Sequence, residues 1–410
     1  MTRLLEGVRV LESAQLFNGD RLGGLLADLG ADVIKVESPG RGDYLRDFLG
    51  QITPHHSPAH VEVNKNKRSI TLDLRTDAGR QVFWRLLETA DVIVDGNVAG
   101  TMDALGVGYE VVRARKPDIV FCHYSGFGAA GPYAVIPTHG QMMNSLVAGT
   151  PTAMDDDGYL HPRTPSDRMG STANGGEGTA TGAAYAALHV TSALVQRDRT
   201  GAGCYIDAAG SDGVVANSWV ALTYALNDHR ITDRSTMPAR AEGENVGAKY
   251  QFYETRDRKV VLFCCIEPKF WRAFCEAIER PDLIGDATDA PVEWADDVDL
   301  RRELQQIFHT RDLTDWVALA AKHDIAMGPA YQEMAELPSD EHLRSRDLFV
   351  EGVDPDGEPY TYIGLPAIVS GDRFEVRRPA PDLGQHTGEL LAELGYDSDH
   401  IERLRVDRVV

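Results

Sequence analysis

The sequence predicts an α/β fold with a large, open, doubly wound, mostly parallel sheet domain and a smaller α+β domain. Two observations support this prediction. Between Val8 and Tyr124, short apolar runs of strand length alternate with helical patterns, which is typical of βαβ units and a parallel sheet. Beyond Ala248, two strand-like runs are followed by three helical patterns, which indicates a separate α+β unit.

The first βαβ unit is the clearest. Strand Val8–Leu11 is followed by helix Asp20–Leu29, which Gly30 closes, and by strand Asp32–Glu37. The same rhythm predicts further strands over 68–74, 91–95 and 119–124 and helices over 76–89 and 109–116. Because ligands of such sheets bind beyond the carboxyl ends of the strands, we expect the binding site at that edge.

The second part of the chain is less regular. Residues 150–182 are rich in Gly, Thr, Ser, Asp and Pro and are predicted to form a loop before a helix over 182–196. Further strands are predicted over 250–254 and 259–265, helices over 268–279, 300–308, 314–322 and 388–394, and strand-like structure within 347–378. The predicted domains are 1–215 (large domain, first part), 216–335 (small domain with linkers) and 336–410 (return to the large domain).

Composition narrows the class of protein. The 63 acidic and 41 basic residues give a net charge of −22, which argues against nucleic acid or an anionic membrane as partner. The five cysteines lack metal-ligand spacing, and we expect neither a disulfide framework nor a metal site. The beginning of the sequence lacks a signal-peptide pattern, and no run of about 18 apolar residues occurs, so a cytoplasmic location is expected.

Generic catalytic motifs are also missing. No GxGxxG follows the first strand, the glycine-rich segment at 170–176 lacks the lysine of a phosphate-binding loop, and neither GxSxG nor HExxH occurs. These absences argue against a nicotinamide-dependent dehydrogenase, an ATPase, an α/β-hydrolase and a zinc protease.

Seven longer strings carry a more specific signal. They are Leu26–Glu37 with the following Pro39, Gly42 and Asp43, then Asn64–Asp73, Ala90–Asp95, Gly126–Gly128 with Gly131-Pro132, Arg199–Gly203, Ile206-Asp207 and Asp382–Thr387. In this order and spacing the sequence resembles the class III CoA-transferase family, which includes formyl-CoA transferase, carnitine CoA-transferase and α-methylacyl-CoA racemase. The resemblance extends from Leu5 to Leu404.

The resemblance implies a function and an assembly. It implies transfer of coenzyme A between an acyl-CoA thioester and a carboxylic acid, through an enzyme–acyl anhydride and an enzyme–CoA thioester. Coenzyme A is then a substrate, and no prosthetic group is expected. The resemblance further implies an interlocked homodimer in which each subunit is a ring threaded through the other.

Candidate CoA-binding residues cluster after the predicted strands. Lys65, Lys67 and Arg68 could hold the phosphates of CoA, or they could belong to a solvated loop paired with acids. Arg75, Arg46 and Arg41 are weaker candidates of the same kind. Further candidates are Asn18, Leu72 and Asn97. The family usually carries Asn-x-Arg-Pro-Gly here, but this chain reads Asn97-Val98-Ala99-Gly100 and lacks the arginine, and Ala104 replaces the next expected arginine. Backbone donors near Asn97 are therefore the expected contacts there.

The catalytic carboxylate has two candidates. The resemblance implies an aspartate where this chain has Gly178, and Glu177 stands beside it among glycines. A carboxylate can attack a thioester carbonyl, and neighbouring glycine amides can stabilise the oxyanion. We therefore expect Glu177 as the nucleophile, with Asp167 as the rival and a solvated charge near a helix start as the non-catalytic alternative.

Two other side chains keep an alternative function open. His139 falls near the position where the racemase branch carries an active-site histidine, and an unperturbed imidazole, with a pKa of about 6.5, suits α-proton transfer. It could equally polarise the substrate carbonyl, hold a carboxylate, or be a loop histidine bonded to the backbone. Glu267 matches a glutamate of the same branch, although a turn residue before a helix explains it equally well. An acyl-CoA racemase or isomerase using His139 and a carboxylate, or a non-catalytic CoA-thioester binder, therefore remains as an alternative.

Overall fold

A computed structural model describes residues 3–148, 151–162, 177–237, 240–241, 244–245, 247–285, 290–370 and 373–410. The chain divides into two compact units. The described residues of the first unit are those up to 162, 177–222 and 342–410, and those of the second unit lie within 223–341.

A six-stranded parallel sheet forms the centre of the first unit. Its strands are β1 (Arg9–Ala14), β2 (Asp32–Glu37), β3 (Arg68–Thr71), β4 (Val92–Gly96), β5 (Val120–Ser125) and β8 (Cys204–Ala209), in the order β3-β2-β1-β4-β5-β8. The short strands β6 (Thr152–Met154) and β7 (Leu160–Pro162) form a hairpin, as do β14 (Phe349–Val353) and β15 (Pro359–Ile363). The helices described in this part of the chain are α1 (Phe17–Asp28), α2 (Pro58–Asn64), α3 (Asp77–Thr89), α4 (Thr101–Ala104), α5 (Tyr109–Arg115), α6 (Gly140–Leu146), α7 (Glu177–Thr200), α8 (Gly210–Asn217), α14 (Thr387–Glu393) and α15 (Ser398–Val406).

Both faces of this sheet are buried, which is why its strands are almost continuously apolar. On one face Leu11 and Phe121 pack in a cluster with residues of α3 and α15. On the other face Val10 and Val120 pack with residues of α1 and α7, including Leu22. The predicted doubly wound α/β fold is therefore confirmed.

The strand order reverses next to β1, which pairs with β2 on one side and with β4 on the other. Such a switch point opens a crevice beyond the strand ends. The loops after β1 and β4 approach closely there, because a Cβ added at Gly19 would lie 3.1 Å from Gly96 Cα and 2.3 Å from Ala14 Cβ. The space beyond the carboxyl ends of β1 and β4, where folds of this kind bind their ligands, is called the "switch-point crevice" below.

The second unit is an α+β structure. Strands β11 (Tyr250–Glu254), β12 (Val260–Cys264) and β13 (Met327–Pro329) form an antiparallel sheet, and β9 (Arg240–Ala241) pairs with β10 (Glu244–Asn245). Its helices include α10 (Pro268–Ala277), α11 (Val298–Phe308) and α12 (Leu313–His323). An aromatic cluster of Phe263, Phe274, Phe308 and Trp316 fills the space between sheet and helices. Helices α9 (Trp219–Asn227) and α13 (Glu341–Ser345) lie where the chain passes between the units.

Several predicted elements differ from the structure. The loop predicted over 150–182 contains the β6–β7 hairpin, and α7 begins at Glu177 and ends at Thr200, beyond both predicted ends. Helices α2 and α15 were not predicted, and the strand predicted over 68–74 ends at Thr71. The start of α7 is not evident from the sequence, because Gly178 and Gly182 have a low helix propensity. Close packing on α8 stabilises it, since a Cβ added at Gly213 would lie 2.7 Å from Gly182 Cα.

None of the described helices is both long and apolar enough to cross a lipid bilayer.

Candidate active site

Two asparagines line the switch-point crevice. Asn97, just after β4, is half-buried, and its side chain donates to the backbone oxygen of Ser13 at 3.0 Å and to Asp95 Oδ1 at 2.9 Å. Asn18, in the first turn of α1, accepts a hydrogen bond at its Oδ1 from Thr179 Oγ1 at 3.1 Å. The structure therefore places the predicted residue Asn18 in the first turn of α1 and the predicted residue Asn97 directly after β4.

The start of α7 is fixed beside the same crevice. Glu177 is the first residue of this helix, and its side chain lies outside the described part of the structure. The next two residues are anchored: the Gly178 amide donates to Asn144 Oδ1 at 3.0 Å, and Thr179 donates to Asn18. The backbone that carries Glu177 therefore lies within two residues of a crevice residue. Asp167, the rival nucleophile, lies outside the described residues.

Helix α6 connects His139 with the start of α7. His139 is the residue immediately before this helix, and its side chain is exposed. Asn144, which binds Gly178, follows five residues later, so the two positions are separated by about 7 Å along the helix axis. Glu267, the other residue of the alternative function, precedes α10 in the second unit.

The lysines predicted to bind phosphate have a different role. Lys67 is fully buried, and its Nζ contacts Glu12 Oε2 at 2.7 Å and Asn64 Oδ1 at 2.9 Å. Lys65 is 1% exposed, and its Nζ contacts Glu62 Oε1 at 2.7 Å and Asp28 Oδ2 at 3.2 Å. Each ammonium group is therefore inaccessible and already surrounded by acceptors, which favours an internal ion-pair role over the predicted binding of CoA phosphates.

Arg68 and Arg46 are likewise engaged by carboxylates. Arg68 is 5% exposed and contacts side-chain oxygens of Asp32, Glu389 and Glu393 at 2.6–2.8 Å. Arg46 is buried and binds Glu37 through two nitrogens, at 3.0 and 2.8 Å. Both guanidinium groups hold strands and loops of the first unit together, which likewise favours an internal ion-pair role over the predicted phosphate binding.

Two further predicted CoA contacts, Leu72 and Arg75, differ in their exposure, and Arg41 is exposed. The side chain of Leu72 is 2% exposed and belongs to the hydrophobic core, so only its backbone can face a ligand. Arg75 is an exposed cation after β3, with 78% of its side chain accessible and its guanidinium bound to Asp73 at 2.8 and 2.9 Å. Among the predicted cations in the sequence between 65 and 75, Arg75 is the one that solvent reaches.

A buried ionic cluster supports the loop after β1. The Lys35 ammonium contacts Asp20, Glu12 at 3.3 Å and Asp43 at 2.9 Å, and all four side chains are essentially inaccessible. Asp43 also accepts a hydrogen bond from the Leu16 amide at 3.1 Å. Leu16 has a φ of 59°, a left-handed backbone conformation that costs a non-glycine residue free energy. The cluster therefore holds the crevice loop in a strained conformation.

Burial and charge shift the pKa values of these carboxyl groups in opposite directions. Burial and the neighbouring charge of Asp43 raise the pKa of Asp20 well above its ordinary value. Burial also opposes ionisation of Asp43, but the charge of Lys35 and hydrogen bonds outweigh it, so the pKa of Asp43 is lowered. For Glu37, hydrogen bonds from Arg46 and the charge of Lys35 similarly outweigh burial and lower the pKa. Asp43 and Glu37 therefore remain anionic at neutral pH.

The cysteines are poor candidates for the nucleophile. Burial raises the pKa of the Cys275 thiol to about 12 and raises the pKa values of Cys122 and Cys265 further. A thiol reacts as its thiolate, so these groups are unreactive at neutral pH. Within the described residues, no group of three or more His, Cys, Asp and Glu side chains is placed to hold a metal ion.

Sequence analysis missed the residues that position the site. Asn144 and Thr179 anchor the start of α7, and Asp43 holds the Leu16 amide. Asn144 is 1% exposed. It could have been recognised in the sequence as a polar residue within an otherwise apolar helical stretch. The signal for Asp43 was its place in the Gly42-Asp43 pair of the motif strings, but its partner could not be inferred from spacing.

The chain belongs to CoA-transferase family III, whose sequence profile matches residues 5–387. It is therefore a CoA-transferase family enzyme, and the predicted family is confirmed. It is similar to succinyl-CoA:mesaconate CoA-transferase of Haloarcula hispanica, with 32% identity over 415 residues that cover 95% of this chain and 96% of the relative. It is also similar to formyl-CoA:oxalate CoA-transferase of Rhodopseudomonas palustris, with 30% identity over 422 residues that cover 98% and 96%.

Solved structures agree with this assignment. Rv3272 from Mycobacterium tuberculosis superimposes with a TM-score of 0.73 and 27% identity, covering 94% of this chain and 98% of that one. A CAIB/BAIF family protein from Brucella suis superimposes with a TM-score of 0.71 and 27% identity, covering 95% and 98%.

Proposed function

We propose that this enzyme transfers coenzyme A from an acyl-CoA to a free carboxylic acid, with Glu177 as the nucleophile. The observation that carries the proposal is the hydrogen bond between Thr179 and Asn18, because it anchors the helix start that bears Glu177 beside the switch-point crevice. Family membership supports the reaction class.

Every step of the proposed reaction takes place at the carboxylate of Glu177, which carries first the acyl group and then coenzyme A. Glu177 attacks the thioester carbonyl, the C–S bond breaks, and a mixed anhydride forms while CoA thiolate leaves. The thiolate then attacks the glutamyl carbonyl, which releases the first acid and leaves a glutamyl-CoA thioester. The carboxylate of the acceptor acid attacks this thioester and repeats the two steps in reverse order. Glu177 is regenerated, and no oxidant or reductant is consumed.

Coenzyme A binding in this proposal uses the strand ends. Asn18 and Asn97 border the crevice, the backbone at Leu72 lies beyond β3, and Arg75 supplies an exposed guanidinium for a phosphate. Arg75 would exchange its bidentate contact with Asp73 for a charge-assisted one to phosphate, which a planar guanidinium also binds bidentately.

The acceptor acid is proposed to be a small dicarboxylate. The two similar enzymes are named for mesaconate and oxalate as acceptors, and both compounds carry two carboxylates. One carboxylate must react at Glu177, and the other needs a cation or hydrogen-bond donor. His139 is suited to that contact, because it is exposed and precedes the helix that binds the start of α7.

A homodimer and a cytoplasmic location are part of the same proposal. Helix α9 is strongly apolar but contains no buried residue, and Trp219 and Leu226 are 67% and 69% exposed. An unpartnered apolar surface of this kind fits burial against a second copy of the chain. Sedimentation analysis should give twice the mass of the 44.9-kDa chain, and a monomer at micromolar concentration would contradict the proposal.

Trapping of the covalent intermediate tests the nucleophile. The purified enzyme is incubated with succinyl-CoA or formyl-CoA, quenched with hydroxylamine, and its peptides are mapped by mass spectrometry. We expect a hydroxamate on Glu177, because hydroxylamine intercepts both the anhydride and the glutamyl-CoA thioester. A hydroxamate on Asp167 would retain the transferase reaction and reassign its nucleophile.

Substitution provides the matching kinetic test. Glu177→Gln should lower CoA exchange by at least ~10³-fold, since the amide cannot form either covalent intermediate. Glu110→Gln, an exposed glutamate on α5, is the matched control and should retain wild-type exchange. Retained exchange in Glu177→Gln would rule out Glu177 as the nucleophile.

The exposed His139 favours a second candidate, an acyl-CoA racemase or isomerase. Deuterium incorporation from D₂O at the α-carbon of a 2-methylacyl-CoA distinguishes the two functions. Incorporation without CoA exchange would support the isomerase, and exchange without incorporation would support the transferase.

A further inference from the structure

A serine, a histidine and an aspartate form a hydrogen-bonded line at the ends of β4 and β5. Asp95 Oδ2 lies 3.0 Å from His123 Nδ1, and His123 Nε2 lies 3.1 Å from Ser125 Oγ. The sheet makes this arrangement: His123 and Ser125 alternate along β5 and share one face, and Asp95 is the register partner of His123 on β4.

The surroundings fix the roles of the three groups. Asp95 and His123 are 5% and 2% exposed, whereas Ser125 is only half-buried. The other oxygen of Asp95 accepts two hydrogen bonds from Asn97, at 3.0 and 2.9 Å, which holds the carboxylate in place. With His123 Nδ1–H donating to this carboxylate, Nε2 is an acceptor and the Ser125 hydroxyl donates its proton to it.

Backbone amides next to Ser125 complete the arrangement. Within the described residues, the amides of Gly126 and Phe127 make no hydrogen bond, although Gly126 is buried. A Cβ on Gly126 would lie 2.1 Å from Thr138 Oγ1, so this loop packs against the residue that precedes His139. Amides that directly follow a nucleophile are suitable donors to the oxyanion of an acyl-transfer reaction.

We propose that Ser125, His123 and Asp95 form a second nucleophilic centre that hydrolyses acyl thioesters when no acceptor acid is bound. The hydroxyl, the base that receives its proton and the group that orients the base are all within hydrogen-bond distance, which is the arrangement that activates serine. Asn97, a proposed CoA contact, is hydrogen-bonded to Asp95 of this centre. That the thioester is an acyl-CoA therefore rests on the proposed function.

The proposed hydrolysis consumes only water. Ser125 Oγ attacks the thioester carbonyl, His123 takes the hydroxyl proton and passes it to the departing thiolate, and an acyl-serine ester remains. Water then attacks the ester, gives a proton to His123, and releases the carboxylic acid as Ser125 recovers its proton. The net change is acyl-CoA plus water to free acid plus CoA. The enzyme would thus hydrolyse acyl-CoA slowly when no acceptor acid is present.

Labelling with a fluorophosphonate tests the centre without any assumption about the substrate. The full-length protein is treated with the probe, and the adduct is mapped by mass spectrometry. We expect a phosphonyl adduct on Ser125 with loss of fluoride, and a labelling rate at least ~100-fold lower in His123→Gln, which removes the general base. Ser192→Ala, which changes an exposed serine on α7, is the matched control and should label as the wild type. A wild-type protein without an adduct on Ser125, or equal labelling in a folded His123→Gln protein, would overturn the proposal.

Acceptor-free turnover gives the second readout. CoA release from the acyl-CoA is measured without acceptor acid and compared with exchange in the same preparation. In Ser125→Ala the ratio of release to exchange should fall at least ~10-fold, because the variant loses the proposed nucleophile. An unchanged ratio would overturn the hydrolysis. Labelling of Ser125 in a protein without exchange would contradict the proposed function and leave the nucleophilic centre supported.

Discussion

Replacement of Lys67 by Met distinguishes a structural lysine from a phosphate-binding one. The Lys67 ammonium is fully buried and makes contacts at 2.7 Å to Glu12, 2.8 Å to the Asp20 carbonyl and 2.9 Å to Asn64. Methionine fits the volume but supplies no donor. Among the ion pairs of the described residues, Glu12 would keep its 3.3 Å contact with Lys35, so the buried carboxylate would be undercompensated.

The expected loss follows from this geometry. Removal of one partner from a buried ion pair costs about 3–5 kcal/mol, because the remaining charge stays desolvated. We therefore expect Lys67→Met to lower the free energy of unfolding by about 3–5 kcal/mol, measured by urea unfolding at pH 7 with circular dichroism. Its affinity for CoA under native conditions, measured by calorimetry, should change by less than about threefold, because the ammonium does not face solvent.

Arg75→Met is the matched control. Its side chain is 78% exposed, so stability should change by no more than about 0.5 kcal/mol, whereas the proposed phosphate contact predicts weaker CoA binding by about 1–3 kcal/mol. The reasoning would be refuted if Lys67→Met were as stable as the wild type within about 1 kcal/mol and bound CoA at least tenfold more weakly.

Three further predictions test other parts of the structure. Because the pKa of Glu37 is lowered in the folded state, its ionised form stabilises the protein above the ordinary carboxyl pKa of about 4. This stabilisation is lost as the pH falls through the lower pKa of the folded state. The midpoint of urea unfolding should therefore depend less on pH between 6 and 3 in Glu37→Gln than in the wild type. Gly213→Ala should lower stability by about 1–3 kcal/mol because its methyl group would meet the backbone of α7, whereas Gly328→Ala has open space and should unfold nearly as the wild type in the same thermal scans. Thr76→Ala should cost about 1 kcal/mol, measured by urea unfolding, because its hydroxyl accepts from the Gly79 amide at the start of α3; an unchanged midpoint would mean that this cap contributes nothing.

We expect substitution of Glu177 to affect CoA exchange and substitution of Lys67 to affect stability. Glu177 stands at the beginning of a helix whose later residues pack in the core, so its replacement should affect exchange far more than stability. Lys67 is the opposite case, since its ammonium group is fully buried and engaged by Glu12 and Asn64. A protein in which both variants lost stability equally would contradict this division.

The sequence by itself determined the order of the sheet-forming segments and the family. Strand β2 was predicted with both of its ends, and α3 begins one residue after the predicted start, because apolar periodicity and a Thr N-cap are local signals. The motif strings were sufficient for the family because seven of them occur in the order and at the spacings of that family, whose profile matches residues 5–387. Asn18, in the first turn of α1, and Asn97, directly after β4, stay predicted CoA contacts.

Only the tertiary structure decided which charged groups are available to a ligand. Lys65, Lys67 and Arg75 look alike in sequence, yet two are buried against carboxylates from distant segments and one is exposed. The partners of Lys67 are 55 residues away for Glu12 and three residues away for Asn64, and no local pattern specifies such a distant pairing. The line from Asp95 to Ser125 has the same origin: it exists because parallel strands place residues 28 positions apart side by side. Periodicity reports which face of an element a residue occupies, whereas burial and pairing depend on what the fold brings against that face.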